Sequence, residues 1–475
     1  MTESPDSHSP ETLRAEFAAH GQGHVFRFWE MLDADARRRL VRQASSLDLP
    51  ALLRGYAVAR AARSQPCRQM QPPPVEIAPE SGGSPERFRA ARELGESRLA
   101  AGRVGVMVVA GGQATRLGYE APKGEFPIGP VSDRTLFALQ AQKIRRLRAQ
   151  TSRRIPWYVM TSRATDAATR EAFARNHFYG LPEDDVFFLC QGMVPSFDFE
   201  GRLILDRPDH IFENPDGHGG AIPALLVSGA LDDMADRGID TLFYYQVDNP
   251  LVRIADPAYL GFHAQSGAQA SCKVVRKHDP AEKVGVVARC DGRTHVVEYT
   301  EIDEERRNAR GPDGELLYWA GSIAIHVFDR EFLRRVADRA EELLPYHAAA
   351  KAIPCIDADG RTIHPQKPNG LKLERFVFDA FPVAERVSVV ETPRLDEFAP
   401  VKNAQGADSP ATARQALVDL YRSWLDAAGI ALPPGTRAVE IDHSRVDGPD
   451  DARSLGVSRA EQARDAILID VGGGG

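Results

Sequence analysis

An apolar run without polar interruption, VGVMVV at Val104–Val109, empties directly into Gly111-Gly112. A strand buried on both faces reads this way, and such strands belong to sheets covered by helices on both sides. The same pattern recurs along the chain. IPWYVMTS, VFFLCQG and TLFYYQVDN are further apolar runs, separated by the amphipathic stretches TLFALQAQKIRRLRAQ, TDAATREAFARNH and AIPALLVSGALDDMADRG. This alternation predicts an α/β fold around a parallel sheet. Residues 270–330 depart from it with several short strands, so the sheet is expected to be mixed, mainly parallel, with an antiparallel addition.

Flanking segments suggest three parts. Residues 11–64 place apolar and charged positions at helical spacing, and QPCRQMQPPPVEIAPESGGSPE breaks that pattern as a Pro/Gly/Ser-rich linker over 65–86. A short helix then leads into the first strand. The expected division is an N-terminal helical region and linker (1–100), a catalytic core (101–385) and a small C-terminal α+β domain (386–475).

Composition excludes several functions. A net charge of -8 provides no basic excess to neutralise nucleic-acid phosphates. No stretch reaches the ~18 consecutive apolar residues of a membrane span, and the polar start MTESPDSHSP does not read as a secretory signal. The cysteines Cys67, Cys190, Cys272, Cys290 and Cys355 form no CxxC pair and read as reduced thiols of a cytoplasmic protein. No His/Cys spacing proposes zinc, and His347 and His364 read as local packing or capping residues.

In an α/β sheet, ligands bind beyond the carboxyl ends of the strands. Gly111 and Gly112 fall there, within neither a G-x-G-x-x-G nor a P-loop pattern, and alone they are as consistent with a tight turn as with an anion nest. Arg116 and Lys123 shift the balance, because two cations beside the turn suit a triphosphate and a pyrophosphate leaving group. Asp248, closing LFYYQVD, suits either a Mg²⁺ ligand or a helix cap. Gln191, Glu298 and Lys402 read in isolation as a strand terminus, an edge-strand charge and a surface lysine.

The segment VVAGGQATRLGYEAPKGEFPIGPVSDRTLF closely resembles the signature of the UDP-sugar pyrophosphorylases, above all their UDP-N-acetylglucosamine branch. The likeness continues in order through FFLCQGMVPSFD, NPDGHGG, YYQVDNPLVRIADPAYLGF, VVEYTEI, AGSIAIHVF, KPNGLKLERFVFDAF and EFAPVKNAQG, over about residues 15–430. It implies a Rossmann-like nucleotidyltransferase core and a Mg²⁺-dependent reaction of UTP with a sugar-1-phosphate, giving UDP-sugar and pyrophosphate. The sugar would be N-acetylglucosamine, glucose or both, and the oligomeric state stays open. By the resemblance, Ala110, Gly111 and Gly112 hold the nucleotide while Arg116 and Lys123 meet its phosphates. Gln191 reads the uracil, Gly217 allows close backbone approach, and Lys402 reaches the α-phosphate from the C-terminal domain. His218, Asp248, Glu298 and Ser322 face the sugar, with Asp248 also the metal ligand. The chain departs from the family pattern at Ala114, where a glycine is usual, and at His218 and Ser322, where the acetylglucosamine branch carries Asn. A nucleotide-sugar sensor without turnover is the alternative. A nicotinamide dehydrogenase is disfavoured by the missing dinucleotide fingerprint.

Overall fold

The computed structural model describes residues 9–61, 67, 69–455, 460–463 and 466–469. They form two compact units, one drawn from 9–61, Gln191–Pro223 and Asp338–Asp379, the other from Cys67–Cys190, Ala224–Ala337 and the described chain from Ala380 onward.

The larger unit is built on a ten-stranded sheet. Its strands are β1 (Met70–Gln71), β2 (Val104–Val109), β3 (Trp157–Thr161), β4 (Val186–Cys190), β5 (Thr241–Gln246), β6 (Ala270–Arg276), β7 (Val286–Cys290), β8 (Arg293–Val297), β9 (Ala320–Asp329) and β10 (Val387–Glu391). The main order is β1-β7-β9-β5-β2-β3-β4, with β8 paired to β7 and β6 bridging β9 and β10. From β5 to β4 the strands run parallel, as their two-sided burial requires. The pairs involving β1, β7, β8 and β9 are antiparallel. The expected antiparallel addition is present, and it takes a larger share of the sheet than a mainly parallel reading allows. Phe137 packs edge-on against both Trp157 and Phe173 in the core.

Three sequence expectations need correction here. The 65–86 stretch is no free linker in its described part. Glu76 forms backbone hydrogen bonds with Val389 and Glu391. The buried Glu391 carboxylate accepts from Ala78 N–H, Ser81 Oγ and Arg276 Nε. Cys67 and Cys290 are joined by a disulfide, so two of the five cysteines expected as free thiols are not free. The C-terminal segment is likewise continuous with the sheet through β10 and shares a unit with β2 and β5, so it is not a domain apart.

Helix Pro85–Ala100, capped by Ser84 Oγ, also belongs to this unit rather than to the N-terminal helices. It meets helix Pro257–Ser266 backbone to backbone. A Cβ on Gly95 would lie 1.8 Å from Pro257 O, and one on Gly261 would lie 1.7 Å from Ala91 O.

The smaller unit packs helices Pro10–Ala19, Ala34–Ser45 and Leu49–Ala61 over a three-stranded antiparallel sheet, with a core that includes Phe17, Leu40, Tyr56, Phe197 and Leu373. The helical reading of residues 11–64 therefore holds over its described part. No helix among the described residues is long and apolar enough to cross a membrane.

Gly→Ala inside a helix normally gains up to about 1 kcal/mol. Gly95→Ala should instead lose on the order of 2 kcal/mol, because the methyl group meets a carbonyl that cannot rotate away. Urea unfolding of the variant checks this; a gain in stability would contradict the close helix contact.

Candidate active site

Strands β2 and β5 pair in parallel with Val109 opposite Gln246, so the chain leaves both at the same edge. After β2, Ala110 N–H still bonds Met160 O at 2.8 Å, and Gly111 O accepts Ser162 Oγ at 2.7 Å. The loop then folds back on itself: Lys123 N–H donates to Gly112 O (3.2 Å) and Ala114 N–H to Ala121 O (3.4 Å). This return brings Lys123 beside the glycine turn. Gly124 is fixed by sterics, since a Cβ there would enter the Phe137 ring at 2.1 Å. Gly112 faces open space, with nothing within 4 Å of a Cβ position. Ala114, the departure from the family pattern, sits at φ -90°, so an L-residue is at ease there.

Gly112, Arg116, Lys123, Asp248 and Lys402 line one cleft of about 400 Å³. The structure thus brings together every phosphate-side residue expected from the sequence except the more deeply placed Ala110 and Gly111. Lys123 Nζ lies 2.9 Å from Asp248 Oδ2, with side-chain exposures of 17% and 12%. Arg116 makes no hydrogen bond or ion pair among the described residues, and Lys402 Nζ lies 5.9 Å from the Phe398 ring centroid. Three cations therefore line the cleft with one carboxylate, and only Lys123 touches it. Lys402 lies in the same compact unit as the loop, which corrects the expected reach from a separate domain.

The cleft rests on a rigid floor that sequence reading missed. Val247 O accepts from Gln140 Nε2 (2.9 Å), and Lys143 Nζ donates to Pro250 O and Val252 O (2.7 and 2.8 Å). Burial brings the Lys143 ammonium down to about 8. Asn249 donates to Glu397 O (2.6 Å) and accepts from Ala399 N–H (3.2 Å), while Val401 N–H bonds Asp248 O (2.9 Å). The Asp248 turn and the segment leading to Lys402 are thereby tied to each other. In sequence the only cue was a Lys and a Gln at core positions of helix Leu136–Thr151.

The base-side and sugar-side expectations fall in two other places. In the smaller unit, Gln191 Nε2 donates weakly to Asp216 Oδ1 and Gly217 O, both at 3.4 Å. Gly217 has φ +86°, and a Cβ would lie 2.5 Å from Arg375 O, so the protein's own packing demands glycine there. The His218 ring stacks on Phe376 at 5.3 Å and 14°. Its Nδ1 accepts Val377 N–H at 3.2 Å, so the neutral ring carries its proton on Nε2. In the larger unit, Glu298 and Ser322 meet around Gly285. Glu298 Oε1 lies 3.1 Å from a Gly285 Cβ position, and Ser322 N–H donates to Gly285 O at 2.8 Å. Ala324, two residues on, has φ +55°, close to a register shift between β6 and β9. His347, expected to pack or cap locally, bonds Asp379 Oδ2 at 2.8 Å.

The family model for UTP--glucose-1-phosphate uridylyltransferase matches residues 76–412. The human UDP-N-acetylhexosamine pyrophosphorylase-like protein 1 is 40% identical over 449 residues, covering 90% of this chain and 89% of its own. UDP-N-acetylglucosamine diphosphorylase 1 of Arabidopsis thaliana is 38% identical over 86% of this chain and 83% of its own. The crystal structure of the uridine diphosphate N-acetylglucosamine pyrophosphorylase of Trypanosoma brucei superposes with a TM-score of 0.83 at 25% identity, covering 99% of both chains. The chain belongs to the UTP--glucose-1-phosphate uridylyltransferase family. It is an enzyme of that family, a uridylyltransferase that makes UDP-sugars.

In this uridylyltransferase two buried groups of the smaller unit titrate in opposition. Burial pushes the Asp216 carboxyl up to about 6, against the pull of Arg375 and Gln191. Burial, helped by His347, holds His218 down at about 4. Between pH 4 and 6 the folded Asp216 keeps a proton that the unfolded chain releases, so its contribution falls as pH rises. Between about 4 and 6.5 the unfolded imidazole takes up a proton that folded His218 refuses, so its contribution is lost as pH falls. His218→Asn removes only the second effect. The unfolding free energy of wild type minus variant should therefore rise by on the order of 2 kcal/mol from pH 4 to 6.5. Urea titrations at both pH values measure it, and a difference that does not change with pH contradicts the assignment.

Proposed function

We propose that this enzyme transfers the uridylyl group of UTP to N-acetylglucosamine-1-phosphate and also to glucose-1-phosphate, in the cytoplasm, with Mg²⁺. The observation carrying the reading is the single cleft that Gly112, Arg116, Lys123, Asp248 and Lys402 line at the strand ends. A sugar-phosphate oxygen attacks the α-phosphorus, the bond to the β-phosphate bridging oxygen breaks, and pyrophosphate leaves. The attacking oxyanion needs no general base, so the protein contributes alignment and charge. Arg116 and Lys123 would neutralise the departing phosphates, and Lys402 the α-phosphate. Gln191 and Gly217 would hold the uracil, with Glu298 on the sugar hydroxyls. Asp248 would hold Mg²⁺, which supplies further charge neutralisation when bound. One carboxylate fits that ion, because Mg²⁺ commonly takes its remaining ligands from substrate phosphates and water.

Lys402→Ala should lower kcat by about two orders of magnitude while thermal melting stays near wild type. Pyrophosphate release with UTP and each sugar phosphate measures it; a near-normal rate removes Lys402 from the mechanism.

The breadth toward sugars rests on His218 and Ser322 as the two positions of the sequence where the acetylglucosamine branch carries Asn. With Nδ1 engaged by Val377 N–H, His218 cannot present that nitrogen as an acceptor, whereas an Asn side chain carries both a donor and an acceptor. A site not built to bond an acetamido group at both ends discriminates weakly. His218→Asn combined with Ser322→Asn should shift the kcat/KM ratio toward the acetylated sugar by about tenfold or more. An unchanged ratio, or a wild type already selective by about a thousandfold, would refute this reading.

A further inference from the structure

We propose that Lys123 serves as a resident cation on Asp248: it keeps divalent metal off the nucleotide-free enzyme and leaves the carboxylate only when a nucleoside triphosphate arrives. The proposal rests on the reading of this cleft as the nucleotide site. Lys123 Nζ is in direct contact with Asp248 Oδ2 at 2.9 Å, and both side chains are largely withdrawn from water. Among the described residues no group of three or more His, Cys, Asp or Glu side chains could hold a metal ion. A divalent ion entering alone would therefore face a single carboxylate with an ammonium already on it, and like charges in contact repel strongly where water is scarce.

A triphosphate reverses that balance. Arg116, Lys123 and Lys402 line the cleft with one carboxylate, so the cleft carries an excess of positive charge. Phosphate oxygens offer Lys123 a stronger anion and supply the oxygen ligands that a hard cation needs. The Lys123 main chain stays pinned by its hydrogen bond to Gly112 O, so the exchange needs only side-chain rotation. Metal and nucleotide then enter as a pair.

The test is Mn²⁺ binding without nucleotide, read from the electron paramagnetic resonance signal of free Mn²⁺. Wild type should bind weakly, and Lys123→Met should bind one ion about tenfold tighter or more. Lys123→Arg, which keeps the charge, should resemble wild type, and adding Asp248→Asn to Lys123→Met should abolish the gain. If Lys123→Met fails to melt cooperatively, Lys123→Gln takes its place. Equal Mn²⁺ affinity in wild type and the neutral variant would overturn the proposal, as would a gain that survives Asp248→Asn. The outcome is separable from the functional reading: absent pyrophosphate release with UTP and either sugar phosphate would refute the proposed substrates and leave the Mn²⁺ comparison standing.

Discussion

The parallel register of β2 against β5 is the constraint on which the active site depends. Placing Val109 beside Gln246 makes both strands end at one edge, so the glycine turn after one and Asp248 after the other emerge as neighbours. A slip by one residue would exchange the faces of every side chain in the strand. Val104, Val106, Met107 and Val108 are fully buried, so such a slip would mismatch close-packed side chains on both faces. Ser162, at the end of β3, extends the same logic by holding the Gly111 carbonyl.

Rigid hydrogen bonding around an electrostatically unbalanced cleft follows from that geometry. Lys143, Gln140 and Asn249 spend their polar atoms on backbone carbonyls and amides beneath the site rather than on ligand. Above them, charge is left deliberately incomplete, with three cations and one carboxylate. Preorganised charge costs no rearrangement when the transition state forms.

Much of this was legible in the sequence because it is local. An apolar strand, a glycine turn and two cations within a dozen residues suit a phosphate loop, and Asp248 closes the later apolar run TLFYYQVDN. What escaped depends on partners far along the chain. Nothing near residues 65–86 says that Glu76 pairs with β10, or that Cys67 meets Cys290 across 223 residues. The stretch AIPALLVSGALDDMADRG looks like one helix, yet it breaks at Gly229 with φ +78°. The His218 tautomer is set by the backbone of Val377, 159 residues away, and no sequence pattern near His218 indicates it. Asp216 was overlooked because its significance is steric: Gly192 and Gly220 lack side chains where its carboxylate lies.

The contact between helices Pro85–Ala100 and Pro257–Ser266 bears on where this enzyme can be cut. Ala91 and Gly95 on one helix face Gly261 and Pro257 on the other, four residues apart on each, so the two run antiparallel and interlock at two points. A recombinant fragment begun at residue 101, the edge suggested by sequence pattern, would strip away the first helix and leave the second with a bare backbone face. That face offers a neighbouring molecule a ready docking strip, and such a fragment would be prone to self-association during expression. A fragment that begins ahead of Cys67 retains the interlock, the Glu76 pairing and the disulfide, and is the sounder choice for dissecting the larger unit.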